Sequence, residues 1–131
     1  MTTAMAETSP PIGGKPYELR GKRVYVAGHR GMVGGALVRR LAQEGAEVVT
    51  ADRRSLDLMR QADVERWMQK ERPQAVFVAA AKVGGILAND TFPAEFLYDN
   101  LLIQANLIHA AWACGVEKLM FLGSSCIYPR L

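Results

Sequence analysis

Cysteine is nearly absent from this sequence, and the scarcity rules out more than it leaves. Only Cys114 and Cys126 occur. They form no Cys-x-x-Cys pair and are too few for a disulfide framework, so reduced thiols in the cytoplasm are the simplest reading. Long apolar runs are missing as well. The strongest, Ala75 to Ala81, is far short of the roughly 20 residues that a membrane-spanning helix needs. The first residues lack the charged start and apolar block of a secretory signal. A net charge of +3 invites a nucleic-acid reading, but no basic run is interleaved with aromatics, so neither nucleic acid nor membrane is an expected partner. His29 and His109 have no neighbours at metal-ligand spacing. No internal repeat or low-complexity tract is visible.

What is present reads as one α/β domain at most. The 131 residues are 50% hydrophobic and 22% charged, enough to bury a core. Residues 1–22 are polar and carry Pro10-Pro11 and Gly13-Gly14, and are expected to form a disordered leader. Beyond them strands and helices alternate. Strands are predicted at Arg23–Ala27, Glu47–Ala51, Ala75–Ala79 and Lys118–Leu122. Helices are predicted at Met32–Glu44, Arg60–Glu71 and Pro93–Cys114, ended respectively by Gly45, Pro73 and Gly115. Asp52–Leu58 and Lys82–Phe92 read as irregular connections. Apolar residues surround the last helix too widely for one buried stripe: Phe96, Leu97, Leu101, Leu102, Ile103, Leu107, Ile108 and Trp112. One face can cover a sheet; the other needs downstream structure or a second subunit.

The most informative segment is Val26-Ala27-Gly28-His29-Arg30-Gly31-Met32-Val33-Gly34. It is a Gly-x-x-Gly-x-x-Gly turn between a β-rich strand and an amphipathic helix, and there each glycine has a job. Gly28 allows the tight turn, Gly31 lets backbone approach a pyrophosphate, and Gly34 lets the helix pack closely. The helix N-terminus then favours the phosphate charge. With the βαβαβαβ order, the turn predicts a Rossmann-type doubly wound parallel sheet with right-handed crossovers and strand order 3-2-1-4. Such a sheet normally continues past four strands, so the sequence reads as truncated after about the fourth.

Two signals at the second strand's tip conflict. Asp52 lies about 20 residues past the glycine turn, where an acid can accept hydrogen bonds from a ribose 2′-hydroxyl and favour NAD. Arg53 and Arg54 follow at once, and an arginine there can clamp a 2′-phosphate and favour NADP. Together with Arg30 they suit a phosphorylated small molecule. Leu56 and Leu58 can line an adenine while Asp57 caps local backbone. After the third strand, the small residues Ala79, Ala80 and Ala81 would let a flat cofactor lie against backbone, and Lys82, Val83 and Gly84 follow as substrate-side candidates. Gly123-Ser124-Ser125-Cys126 puts hydroxyls and a thiol where such folds hold their ligands, and a thiol with a tuned pKa can act as acid or base.

Three blocks together, Gly28 to Gly34, Ala79 to Asn89 and Leu122-Gly123-Ser124-Ser125-Cys126-Ile127-Tyr128-Pro129, closely resemble the GDP-L-fucose synthase family of extended short-chain dehydrogenase/reductases. The resemblance runs from Arg23 to Arg130. The glycine turn is shared across the superfamily, and the other two blocks are much more specific. The resemblance implies epimerisation of GDP-4-keto-6-deoxy-D-mannose at C3 and C5 through enolates, then hydride transfer from NADPH to C4. It places Gly28, His29, Arg30, Gly31, Met32, Val33 and Gly34 at the pyrophosphate, and residues 53–58 at the adenosine end. Leu122, Gly123, Ser124 and Ser125 would flank the nicotinamide. Ser124 matches the catalytic serine and Cys126 the epimerisation acid/base. The resemblance tips the cofactor toward NADP(H) and implies a homodimer. The family's Tyr-x-x-x-Lys pair, the histidine that partners the cysteine and the GDP-sugar domain belong past Leu131. Tyr128 is no substitute, having no lysine at the right spacing. The sequence is therefore expected to hold the cofactor half, to be inactive alone, and to be poorly soluble through an uncovered apolar edge at Leu119–Leu122; the alternatives are a non-catalytic dinucleotide-binding remnant or part of another NAD(P)-dependent nucleotide-sugar epimerase/dehydratase.

Overall fold

The computed structural model describes residues 16–124 and 127–129. Its elements in chain order are β1 (Arg23–Ala27), α1 (Met32–Gln43), β2 (Glu47–Val49), α2 (Gln61–Glu71), β3 (Ala75–Val78), α3 (Ile86–Thr91), α4 (Pro93–Ala113) and β4 (Lys118–Phe121). All four strands are parallel, in the order β2-β1-β3-β4. The register sets Val24 opposite both Val48 and Ala75, and Val76 opposite Leu119.

This order corrects the predicted 3-2-1-4. That arrangement needs a strand outside β2, and the described residues have none there: after β2, Asp52–Arg60 is a succession of turns. Ala75–Val78, apolar on both faces, instead takes the inner place beside β1, where both faces can be buried. Right-handed crossovers then fix the layers. On one face α1 packs Leu37, Val38 and Leu41 over Val24, Val26 and Ala75. On the other, α2 and α4 bring Val64, Met68, Leu107, Ala110 and Ala111 over Tyr25, Ala27, Val76 and Val78. Tyr25 is 1% exposed and stacks on Trp67 with ring centres 4.2 Å apart.

The helix ends follow local chemistry. Backbone N–H groups of Gly45 and Ala46 close α1 on the carbonyls of Ala42 and Leu41. Pro93 opens α4 at its first turn, where a missing N–H costs nothing. α2 ends on Arg72 in the left-handed region (φ 48°), the only described non-glycine there, ahead of the buried Pro73. α3 was not foreseen: its six residues bury nothing, so no apolar period distinguishes them from the connection predicted there.

The boundary at Lys22 also moves. Tyr17 and Leu19 pack on the α1-face core, and the Tyr17 hydroxyl donates to Glu117 at 2.8 Å. Residues 17–22 are thus part of the folded body, while residues 1–15 of the expected leader lie outside the described residues. An aromatic and a leucine between polar neighbours were too little pattern to show this.

Candidate functional site

The site grows from the carboxyl ends of β1 and β3. From β1 the chain turns back through α1 to β2, whereas β3 continues to β4 on the other side. This reversal opens a crevice between the two strand ends, the place where doubly wound sheets hold ligands. Here it is a cleft of about 770 Å³ lined by residues 28–34, by the end of β2 and its turns, and by residues 79–83.

Glycine is required at two positions for different reasons. Gly28 turns at φ 84° beneath the end of β3, where a Cβ would stand 2.6 Å from the Ala79 carbonyl oxygen. Gly34 lies under the same turn, where a Cβ would overlap the Gly28 carbonyl oxygen. The first turn of α1 is thereby pressed against the end of β1. At Gly31 a Cβ would meet only Gly28 O, at 3.4 Å. No side chain caps α1 and its first turn holds no acid, so its leading N–H groups and positive dipole end are left for an anion. The uncapped amides of this 12-residue helix thus face a cleft large enough for a dinucleotide.

Past the tip of β2 the cleft is lined by arginine, and here the conflict between Asp52 and its arginines meets geometry. Asp52 Oδ1 accepts from the N–H groups of Arg54 (3.0 Å) and Ser55 (2.9 Å) and from the Ser55 hydroxyl (3.1 Å). Its other oxygen lies 3.7 Å from the Arg30 guanidinium. Hydrogen bonds from Ser55, then from Arg54, and the charge of Arg30 hold the carboxyl below the usual range. Arg53 lines the cleft; Arg54 is exposed beside it. Asp57 accepts the Met59 N–H at 3.0 Å, while Leu56 is 4% exposed and belongs mainly to the core. Leu58 lines the cleft and passes its carbonyl to Asn106 on α4 (2.9 Å).

At the β3 end, Ala79, Ala80 and Ala81 form a side-chain-poor wall. Lys82 is clamped. Its ammonium pairs with Asp99 at 2.6 Å and lies 5.3 Å from the centre of the Phe96 ring. The Asn100 amide also accepts the Lys82 N–H (2.7 Å) and donates to its carbonyl (3.0 Å). Val83 is an exposed lip. Gly84 differs from expectation: it faces α4, where a Cβ would come within 2.8 Å of the Phe96 ring, and does not line the cleft. Leu122, Gly123 and Ser124 are exposed at the end of β4, also outside the lining. Ser125 and Cys126 lie outside the described residues. Sequence reasoning passed over Ala51, Met59, Asp99 and Ile103, which do line it. Only Asp99 left a signal, as half of a polar pair interrupting an apolar helix.

Among the described residues no cluster of His, Cys, Asp and Glu is arranged to hold a metal, and no helix is long and apolar enough to cross a membrane. Residues 24–131 match the NAD dependent epimerase/dehydratase family. The chain is 62% identical over 114 residues to a GDP-L-fucose synthase of Sinorhizobium fredii, a match covering 87% of this chain and 36% of that protein. It is 53% identical over 129 residues to GDP-L-fucose synthase 1 of Arabidopsis thaliana, covering 96% and 39%. Its fold is similar to a GDP-mannoheptose C4 reductase from Campylobacter jejuni solved with NADP bound (TM-score 0.79, 40% identity, covering 83% of this chain and 35% of that one). The chain thus spans between a third and two fifths of the length of these curated relatives. The matches run through every element that builds the cleft, and the chain belongs to the NAD dependent epimerase/dehydratase family.

Proposed function

We propose that this chain is the cofactor-binding portion of a GDP-L-fucose synthase, and that its cleft takes NADP(H). One observation carries the cofactor reading: a single cleft is lined both by the uncapped start of α1 and by Arg30 and Arg53, charge that suits the pyrophosphate and the 2′-phosphate of a phosphorylated dinucleotide. The backbone at Gly31 and the leading amides of α1 hold the pyrophosphate. Arg30, Arg53 and Arg54 hold the 2′-phosphate. Ala79 to Ala81 leave room for a flat ring system. When bound, the cofactor supplies a hydride for C4 of a GDP-bound 4-keto sugar.

The substrate reading rests on the relatives named GDP-L-fucose synthase and on the Gly-Ser-Ser-Cys-Ile-Tyr-Pro block. Ser124, at the end of β4, is assigned by this reading to hydrogen-bond the sugar's carbonyl region, and Lys82 and Val83 to the substrate side of the cleft. Cys126 is the acid/base for epimerisation beside the C4 carbonyl, which acidifies the C3 and C5 protons. The tyrosine–lysine pair is supplied by residues past position 131, so the chain alone does not reduce the sugar. The whole enzyme works as a homodimer in the cytoplasm. Its contact is the outer stripe of α4, where Leu97, Leu101, Ile108 and Trp112 are 45–77% exposed on one side of the helix.

Fluorescence titration of the chain with NADPH tests the first half of this reading; absence of saturable binding overturns it. Conversion of GDP-4-keto-6-deoxy-D-mannose to GDP-L-fucose by the product of the complete reading frame tests the second. Turnover of a GDP-heptose in its place would reassign the substrate. A Leu101→Glu form of that product that sediments as the same dimer would remove α4 as the contact.

A further inference from the structure

An acid at the tip of β2 would ordinarily be read as the ribose-hydroxyl acceptor of an NAD site, yet here one carboxylate oxygen is taken up by its own turn and the other faces a guanidinium. Asp52 Oδ1 accepts from the Arg54 N–H (3.0 Å) and the Ser55 N–H (2.9 Å), while the Ser55 hydroxyl lies within reach of both Oδ1 (3.1 Å) and the Asp52 carbonyl oxygen (3.0 Å). The Asp52 carbonyl, in turn, accepts the N–H groups of Ser55 (3.1 Å) and Leu56 (2.9 Å). This closes a tight turn with Arg53 and Arg54 at its apex and Leu56 anchored in the core. The remaining oxygen faces Arg30, which is 78% exposed and arrives from the glycine turn, a different element. A carboxylate with one oxygen occupied by its own turn and a guanidinium facing the other is placed to shape that turn and its arginines more than to receive both hydroxyls of a ribose.

Resting on the NADP(H) reading above, we propose that Asp52 is a positioning residue for selection of the 2′-phosphate: it folds the turn that presents Arg53 and Arg54 and draws Arg30 alongside them. Its negative charge is the component that an incoming phosphate must tolerate, and pairing with Arg30 masks it. The role follows from the hydrogen-bonded turn more than from the charge, so an amide should substitute for the carboxylate.

The test is fluorescence titration of the chain and two variants with NADPH and NADH, which differ only in that phosphate, with a thermal melt of each protein as a control for folding. Asp52→Ala should lower the NADPH-over-NADH preference about tenfold, mostly by weakening NADPH. Asp52→Asn, whose side-chain oxygen can still accept from Arg54 and Ser55, should keep the preference within about twofold of wild type or raise it. Three results would overturn the proposal: an unchanged preference in Asp52→Ala, an equal loss in Asp52→Asn, or a loss of NADH affinity in both variants, which would make Asp52 a ribose acceptor. A wild-type chain that binds NADH more tightly than NADPH, or binds neither, removes the cofactor reading itself and this role with it.

Discussion

The two ends of the sheet solve opposite problems. At the amino ends of the strands a network of charged and polar side chains ties the elements together. Arg23 reaches Glu47 at 2.7 Å and the Glu71 carbonyl at 2.9 Å, joining β1, β2 and the end of α2. Glu117 collects Lys22, Tyr17 and Gln74 (2.8–3.2 Å), and Gln74 also receives the Arg23 N–H at 3.1 Å. At the carboxyl ends the turns are glycine and alanine, the long helix is uncapped, and Arg53 and Arg54 take part in no described ion pair. One end uses its polar groups to tie strands together; at the other, Lys82 and Asp52 are held by their neighbours while Arg53 lines the cleft outside any described ion pair. The same alternation of β and α supplies both, because parallel strands send all their amino ends one way and all their carboxyl ends the other.

The harshest way to break this contrast is to add a single methyl group at the open end. Gly34→Ala forces a Cβ into the Gly28 carbonyl and lifts α1 off the turn. We expect about 1–3 kcal/mol of lost stability from overpacking and no measurable NADPH binding. Normal affinity in this variant would show that the close approach is dispensable. Next comes charge. Arg53→Ala removes a charge-assisted hydrogen bond worth about 1.5–3 kcal/mol, so NADPH affinity should fall roughly 10- to 100-fold while NADH binding stays put. Parallel titrations decide it, and an equal loss for both cofactors would mean that Arg53 does not read the 2′-phosphate.

How much of this was legible follows from the kind of force involved at each place. β1, the glycine turn and α4 stood out because chain-local chemistry sets them: β-branched alternation, steric need for glycine, a proline at a helix start. The order of the strands did not. Whether Ala75–Val78 lies beside β1 or beyond β2 depends on pairing between distant segments, and the cue was negative, the lack of a strand-forming run between Asp52 and Arg60. The Asp52 conflict was visible as two adjacent signals, but the folded turn that brings Arg54 and Ser55 onto the carboxylate could not be read from them. Asp99 and Asn100 were hidden for a similar reason, since their partner Lys82 lies on another element.

At the closed end the contrast predicts a pH response without a ligand response. Lys22, Tyr17 and Gln74 hold the Glu117 carboxyl below its usual pKa, and Arg23 does the same for Glu47. A depressed folded-state pKa contributes stability above the unfolded carboxylate value, about 4.3 for Glu. That contribution is lost as pH falls through the folded value. The melting temperature should therefore fall as pH is lowered through and below that range, and Glu117→Gln should flatten the acid side of the curve. NADPH affinity at neutral pH should be unchanged. Burial, and then Glu117, raise the Tyr17 phenol to about 12, so the same variant should move the Tyr17 absorbance titration back toward 10. A change in NADPH affinity would mean that the two ends are coupled.

The smallest effect runs against the first prediction and so sharpens the comparison. Arg72 caps α2 at φ 48°, with its N–H on the Met68 carbonyl at 2.9 Å. A side chain in that region costs roughly 1–2 kcal/mol, which glycine avoids, although glycine gives back part of the gain through a more flexible unfolded chain. Arg72 is exposed, and no described ion pair uses it. Arg72→Gly should accordingly raise stability by about 0.5–1 kcal/mol, read as a higher denaturation midpoint with an unchanged denaturant slope and unaltered NADPH binding. Removing a Cβ at the closed end would then help, where adding one at the open end destroys the site. If Arg72→Gly instead weakens the fold, the left-handed cap is held by interactions of the arginine itself, and strain at the amino end has a structural use after all.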